Sequence, residues 1–412
     1  MIETIAVIGA NLAGGRAAEA LRQSGYEGRV ILIGEESWRP YERPPLSKEV
    51  LWDMSRLPDN FFLHDEDWYE ANGIDLRLGA RAEALDLAGG GVRLATGDTL
   101  RADRILLATG GKARMLPLAG AGAANVHHLR TKDDADRLSL DLRPGAHIVV
   151  IGMGVIGAEV AASARKAGCE VTAIEPAPVP MIRTLGARFG RWLGENHEAR
   201  GVRAHFGFGV SRLELDGGLV RAVECSDGTR IACDAVVVGI GIVPAVELAE
   251  QAGIAIGNGV IVDRQCRTSH PNVFAAGDVA DQPDFFGGRV RLETYQNAAD
   301  QAVAAAQAML GREVDYLKPC WFWSDQYDLN IQVSGRIDDS LPIVIRRTQN
   351  DNEFTAFFLD EATVAGVLTV NRAVDMGVGK RMVERRLAVD PEMLADPSVP
   401  LREFLKPKQI AA

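Results

Sequence analysis

Cysteine is scarce in this 412-residue chain, and none lies before Cys169. The five present, Cys169, Cys225, Cys233, Cys266 and Cys320, form no C-x-x-C pair. An odd number at scattered spacing argues against a disulfide framework and against a zinc site, so ordinary thiols and no bound metal are expected. Positive charge is in deficit too. The 45 Lys and Arg face 56 Asp and Glu, and the net −11 would repel the phosphates of nucleic acid. No apolar run approaches the length that spans a bilayer, so no stable membrane anchoring is expected. The first strand-like run starts within five residues of Met1, which leaves no room for a signal peptide and makes a cytoplasmic protein the expectation. Glycine, by contrast, is abundant. Its 43 copies and a hydrophobic content of 47% suit an α/β protein with many strand-to-helix turns. The length exceeds one ordinary core and requires two or three domains.

The run that organises the chain is Ile148–Glu175, IVVIGMGVIGAEVAASARKAGCEVTAIE. A strand ends in Gly152, Gly154 and Gly157, a small-residue helix follows, and a second strand closes on Glu175. Gly152 permits the turn, Gly154 lets backbone approach a pyrophosphate, and Gly157 lets helix and strand pack closely. The helix N-terminus offers free N–H groups to the phosphates. Glu175 is placed to take the hydroxyls of an adenine ribose, and no arginine follows it in PAPVP, which favours NADH over NADPH. A second copy opens the chain: IAVIG at residues 5–9, ANLAGG, a helix to about Ser24, the strand VILI, and Glu35. Asn11 replaces the middle glycine, and asparagine tolerates unusual backbone angles better than most residues. Two such units imply two nucleotides, one a flavin dinucleotide and the other the nicotinamide.

Between the copies, WRPYERPPLSKEVL at residues 38–51 is a proline-held segment before a short helix, positioned for a flavin ring. Lys48 is assigned a role there, with Arg43 and Pro44 packing nearby. Residues 75–107 read as strands with tight turns, and ILLATGG brings Thr109, Gly110 and Gly111 to a domain crossing. Residues 112–145 read as a polar connection with one helix. The strand of VVVGIGIVP (236–244) returns the chain to the first domain, since Pro244 cannot continue a ladder. NVFAAGDVAD (272–281) ends a strand at Gly277-Asp278, and residues 293–310 form an alanine-rich helix. Beyond residue 318 lies a separate domain with four aromatics in KPCWFWSDQYDLNIQVSGR. From Arg372 onward it carries eight Lys/Arg against six Asp/Glu, with Lys380, Arg381, Arg385 and Arg386 expected in one helix.

GANLAG, RPPLSK, ATGG, GMGVIGAE, FAAGDVA, ETYQNA and CWFWSDQYDLNIQ, in this order, resemble the NADH-dependent ferredoxin reductases of bacterial oxygenase systems. The similarity covers almost the whole chain, and RPPLSK with FWSDQYDL is its narrowest part. Tyr295 stands where the family often has the tryptophan of ETW, an aromatic exchange that preserves stacking. The resemblance implies an α/β fold with two Rossmann-like dinucleotide-binding domains of glutathione reductase-like type plus a C-terminal α+β domain. FAD would occupy residues 1–111 and 240–318, NADH residues 112–239, and residues 319–412 would contribute to the flavin site and to ferredoxin docking. On this analogy Gly9, Asn11, Gly14, Glu35, Arg43, Pro44, Lys48, Arg81, Thr109, Gly110, Asp278, Val279, Tyr295 and Trp323 serve FAD. Gly152, Gly154, Ile156, Gly157, Glu159, Glu175 and Gly241 serve NADH. Lys48 and Glu159 would be the catalytic pair near flavin N5, Asp278 would hold the ribityl chain, and Trp323 would approach the ring. The implied reaction passes hydride from NADH to FAD and then single electrons to a two-iron, two-sulfur ferredoxin, docking near Arg385 and Arg386. That ferredoxin would serve a haem monooxygenase or a Rieske oxygenase. A thiol relay is excluded by the missing cysteines. Three other readings remain: a rubredoxin reductase, a type II NADH:quinone oxidoreductase, and a non-catalytic NADH-sensing flavoprotein resembling apoptosis-inducing factor.

Overall fold

Apolar runs too continuous to alternate set the framework. In the strands Thr4–Ile8 and Arg29–Ile33 every residue after the first is buried, the pattern of strands covered on both faces. The computed structural model describes residues 2–52 and 57–406, so 407–412, the end of the charged C-terminal stretch, lie outside the described residues. The chain divides into two units: Met1–Arg43 with Pro58–Lys112 and Ile242–Lys318, and Pro44–Leu57 with Ala113–Gly241 and Pro319–Ala412. Among the described residues no helix is long and apolar enough to cross a membrane.

The first unit is built on a five-stranded parallel sheet in the order Val273–Ala275, Arg104–Leu107, Thr4–Ile8, Arg29–Ile33, Ile74–Arg77. Alternate residues feed opposite faces, because successive side chains in a strand point opposite ways. Ile5, Val7, Val30, Leu32 and Leu106 pack under the helices Leu12–Gln23 and Tyr295–Met309. Ala6, Ile8, Ile31, Ile33, Ile105 and Leu107 meet the side that includes Val92, Leu94 and Val260. Alanines at 17, 18, 298, 302 and 305 let the two helices lie close together over the sheet.

The second unit repeats the plan. Its parallel sheet runs Val202–Phe206, Glu170–Glu175, His147–Ile151, Ala235–Val238, Val126–His128. The edge strand Val126–His128 falls in the stretch read as a polar connection. Its two histidines hid it, although Val126 and His127 are buried. A second sheet, wholly antiparallel, has the order Trp321–Gln326, Leu329–Gly335, Thr363–Val370, Phe354–Asp360, Ile343–Arg347. The helix Ala373–Glu384 packs on it through Gly379 against Val367, and Phe189 of the helix Ile182–Ala199 stacks on Phe354 at 5.5 Å. That second helix breaks at Gly186, φ 74°, and Asp339 accepts a hydrogen bond from Ala187 N at 2.5 Å, capping the restart. The expectation of one helix carrying four basic residues is corrected. The helix ends at Glu384, Arg385 is its C-cap, and Arg386 follows in the left-handed region at φ 45°. Lys380 and Arg381 alone lie inside it.

Gly157 and Gly154 separate packing from openness. A Cβ on Gly157 would overlap the carbonyl oxygen of Gly152, whereas one on Gly154 would meet nothing within 4 Å. Gly157→Ala is therefore expected to lose about 1–3 kcal/mol of stability by overpacking. Gly154→Ala should stay within about 0.5 kcal/mol of the parent. Thermal and urea unfolding of the two variants checks the contrast.

Candidate active site

Parallel strands deliver their C-terminal ends to one edge, and in both units the glycine turns emerge there. In the first unit Ile8 pairs with Leu107 and Leu107 with Ala275, so Gly9, Thr109-Gly110 and Gly277-Asp278 leave the sheet side by side. In the second, Ile151 pairs with Ile174 and Val238, setting Gly152, Glu175 and Gly239–Gly241 together. Each place is a switch point, with neighbouring strands departing in opposite directions, where open α/β sheets bind nucleotides. The turns fit such a ligand. Neither following helix has an acidic residue in its first turn, and the helix Val155–Lys166 starts at Gly154 without any side-chain cap. Its first N–H groups are left for an anion. Glu175 Oε2 accepts from Met153 N at 2.7 Å and Oε1 from Ala177 N at 2.9 Å. Its remaining lone pairs can accept from ribose hydroxyls.

The first unit departs from the glycine pattern at Asn11, which lies in extended backbone at φ −120°. The tolerance for unusual angles is not used. Instead Asn11 caps its helix, accepting from Leu12 N at 3.3 Å, and its amide donates to Glu36 Oε1 at 3.1 Å. Glu36 also accepts from Tyr41 Oη at 2.5 Å and pairs with Arg43 at 2.7 Å. Glu35 is exposed and pairs with Arg81, also exposed, at 3.4 Å. The glutamate hydrogen-bonded to Asn11 is Glu36, a contact that sequence spacing does not disclose between two adjacent glutamates. Thr109 Oγ1 donates to Ala245 O at 2.7 Å, Gly110 has φ 63°, and Val279 is buried beyond Asp278. Tyr295 starts its helix and donates its hydroxyl to Glu42 Oε1 at 2.7 Å.

The most constrained polar cluster lies within the second unit. Pro44–Ser47 forms a 3₁₀ turn that presents Lys48, whose ammonium stands 3.3 Å from Glu159 Oε1, 3.3 Å from Pro44 O and 4.0 Å from Asp325 Oδ2. Both members of the Lys48–Glu159 pair are buried, Glu159 to 3% exposure. Ser47 Oγ donates to Glu159 Oε2, and Ser324 Oγ donates to Oε1 at 2.7 Å. Ser163 Oγ donates to Ser47 O at 2.6 Å, fastening the proline turn to the helix that carries Glu159. Burial pushes the Glu159 carboxyl above its ordinary value, while Lys48 and then the two serine bonds pull the other way. Trp323 places its ring centroid 6.0 Å from the Lys48 nitrogen and stacks on Trp321 at 5.4 Å. Ile156 is exposed in the first helical turn, and Gly241, φ 93°, has open space around it.

Behind Ser324 the bonds form a chain with one direction. A carboxylate only accepts, so the Ser324 proton goes to Glu159 and its oxygen must accept from Gln326 Nε2 at 3.0 Å. The other Gln326 amide proton faces Met181 Sδ at 3.5 Å, and Gln326 Oε1 accepts from His197 Nε2 at 2.9 Å. His197 Nδ1 then accepts from Tyr327 Oη, also at 2.9 Å. Every dipole points its positive end toward Glu159. Sequence reading missed Ser47, Ser324, Gln326, His197 and Glu36. The available signal was Ser324 and Gln326 on one face of a strand, alternating with Trp323 and Asp325, at positions that prove fully buried.

Residues 3–302 match the family described as pyridine nucleotide-disulphide oxidoreductase, and residues 321–405 match that described as reductase C-terminal. The chain is 41% identical over 409 residues to the biphenyl dioxygenase system ferredoxin–NAD(+) reductase component of Paraburkholderia xenovorans, covering 99% of this chain and 100% of that protein. It is 36% identical over 409 residues to putidaredoxin reductase of Pseudomonas putida, with 98% and 97% covered. The reductase in the crystal structure of the covalent putidaredoxin reductase–putidaredoxin complex superposes with a TM-score of 0.94 at 35% identity, over 98% of each chain.

Burial drives the His197 imidazole down to about 4 from an ordinary 6.5. The folded protein keeps it neutral where the unfolded chain binds a proton. Its contribution is therefore full above about pH 6.5 and is lost as pH falls toward 4, amounting to at most about 3 kcal/mol. His197→Gln, which cannot titrate, is expected to flatten that part of the stability profile relative to the parent. Urea midpoints measured between pH 4 and 7 test it.

Proposed function

The chain belongs to the pyridine nucleotide-disulphide oxidoreductase family, and on that premise we propose that it is an FAD-dependent, NADH-oxidising ferredoxin reductase of an oxygenase system. The observation that carries the reading is the buried Lys48–Glu159 pair held by Ser47 and Ser324. A cation fixed in a site of low polarity has value where negative charge develops during a reaction, and the anion beside it keeps that cation charged.

Residues 1–111 and 240–318 hold FAD, with Gly9, Asn11 and Gly14 at the pyrophosphate and Asp278 at the ribityl hydroxyls. Arg43, Pro44, Arg81, Thr109, Gly110, Val279 and Tyr295 line that site. Residues 112–239 hold NADH, its pyrophosphate on Gly154 and the uncapped helix start, its adenine ribose on Glu175. When bound, FAD supplies hydride acceptance from NADH and one-electron release. Lys48 stabilises the charge gained in that exchange, and Glu159 holds the ammonium in place. Thiols take no part. Burial lifts Cys233 to about 11 and Cys266 to about 12, so neither is a thiolate at neutral pH. The acceptor is a two-iron, two-sulfur ferredoxin serving a Rieske oxygenase or a haem monooxygenase. Residues 319–412 receive it, with Lys380 seated over the Trp321 ring at 4.0 Å and Arg385 and Arg386 exposed beyond the helix end. The basic residues there suit an acidic partner surface.

Lys48→Ala is expected to slow flavin reduction by NADH in stopped-flow far more than it weakens FAD binding; equal rates for variant and parent refute the role. Glu175 predicts a strong preference for NADH, because a 2′-phosphate beside it meets repulsion on the order of 2–4 kcal/mol. Steady-state kinetics should show Glu175→Ala narrowing the NADH/NADPH ratio of kcat/KM at least tenfold. The double change Arg385→Glu with Arg386→Glu should raise the KM for ferredoxin severalfold and leave that for NADH unchanged, an effect weakened at high salt.

A further inference from the structure

Three donors of different chemistry converge at the edge of the second unit. His205 lies in the edge strand Val202–Phe206, Cys225 ends the strand Leu219–Cys225, and Asp227 follows in the turn. One ligand atom from each, imidazole nitrogen, thiol sulfur and carboxylate oxygen, lies within 4.8 Å of the other two. Spacing along the chain gives no hint of this, since the register of two separate sheets brings His205 to the hairpin.

His205 and Asp227 stand at ion-pair distance, with Cys225 beside them. His205 Nε2 is shielded from solvent and has no hydrogen-bond partner, although Asp227 Oδ2 is 3.3 Å away. That separation is close to the edge of a tetrahedron around zinc, roughly 3.4 Å for metal–ligand bonds of 2.0–2.2 Å. The frame is held from outside. Thr229 donates to both carboxylate oxygens of Asp227, through N at 3.0 Å and Oγ1 at 2.9 Å, and the His205 ring stacks on Phe208 at 4.7 Å. Cys225 is buried while Asp227 is exposed, so a cation can enter from the carboxylate side.

We propose that His205, Cys225 and Asp227 form a binding site for one divalent transition metal of zinc-like preference, with a fourth position for water. One nitrogen, one sulfur and one oxygen suit a borderline-soft ion and exclude magnesium or calcium, which demand oxygen. Binding displaces the thiol proton of Cys225 to solvent and leaves the metal at its divalent charge.

The test uses the FAD-loaded full chain, stripped with a chelator and dialysed against buffered zinc. The expected result is one zinc per chain, with X-ray absorption showing a single sulfur neighbour at about 2.3 Å. Cys225→Ser should abolish the sulfur shell, and His205→Gln and Asp227→Asn should each weaken binding at least about tenfold. NADH-driven dye reduction without zinc should be unchanged in all three, which reports intact folding. Zinc no higher than background, bound zinc with no sulfur neighbour, or binding retained in His205→Gln and Asp227→Asn overturns the proposal. If Cys225→Ser does not fold, those two variants decide it.

Discussion

The buried Lys48–Glu159 pair is the constraint around which the second unit is arranged. Removing either charge leaves the other in an apolar site, typically a loss of 3–5 kcal/mol. Its partners come from far apart in sequence, Ser47 lying 112 residues and Ser324 165 residues from Glu159. Each is delivered by a stiff element: a diproline turn, the second turn of a helix, and a strand. Burial alone would neutralise Glu159. The ammonium and the two hydroxyls oppose that at one group, while burial remains the largest influence and holds the carboxyl above its ordinary value.

The two parallel sheets show one solution reached with different residues. Gly14 and Gly157 each face the carbonyl of the first glycine in their turn so closely that no side chain fits. The middle position is permissive, open at Gly154 and occupied by a helix cap at Asn11. That asymmetry follows from where the side chain would point. Into the strand–helix contact nothing can go, while outward a small polar group can even satisfy a helix N–H.

The family is described by a disulphide, yet this chain's five cysteines are free and four are buried. Cys266 sits in the core of the first unit, and Cys225 and Cys233 sit in that of the second. Burial in apolar surroundings raises a thiol and makes it a poor nucleophile. The aromatic pair Trp321–Trp323, both rings half-buried, is instead bracketed by Lys380 and Lys48.

Sequence alone determined the two strand–glycine–helix units, the acid at Glu175, the interest of Lys48 and the change of character after residue 318. These rest on local rules: glycine where backbone must turn or approach, continuous apolar runs where a strand is covered twice, prolines where a segment must be stiff. Tertiary structure alone decided that Glu36 rather than Glu35 faces Asn11, that Ser47 and Ser324 share Glu159, that Gln326 and His197 stand behind them, and that His205 meets Cys225 and Asp227. Which of two adjacent carboxylates turns inward depends on strand register, and which hydroxyl reaches a carboxylate depends on the packing of elements more than a hundred residues apart. No local pattern encodes either, because the free energy that selects them belongs to contacts made only when the chain is closed.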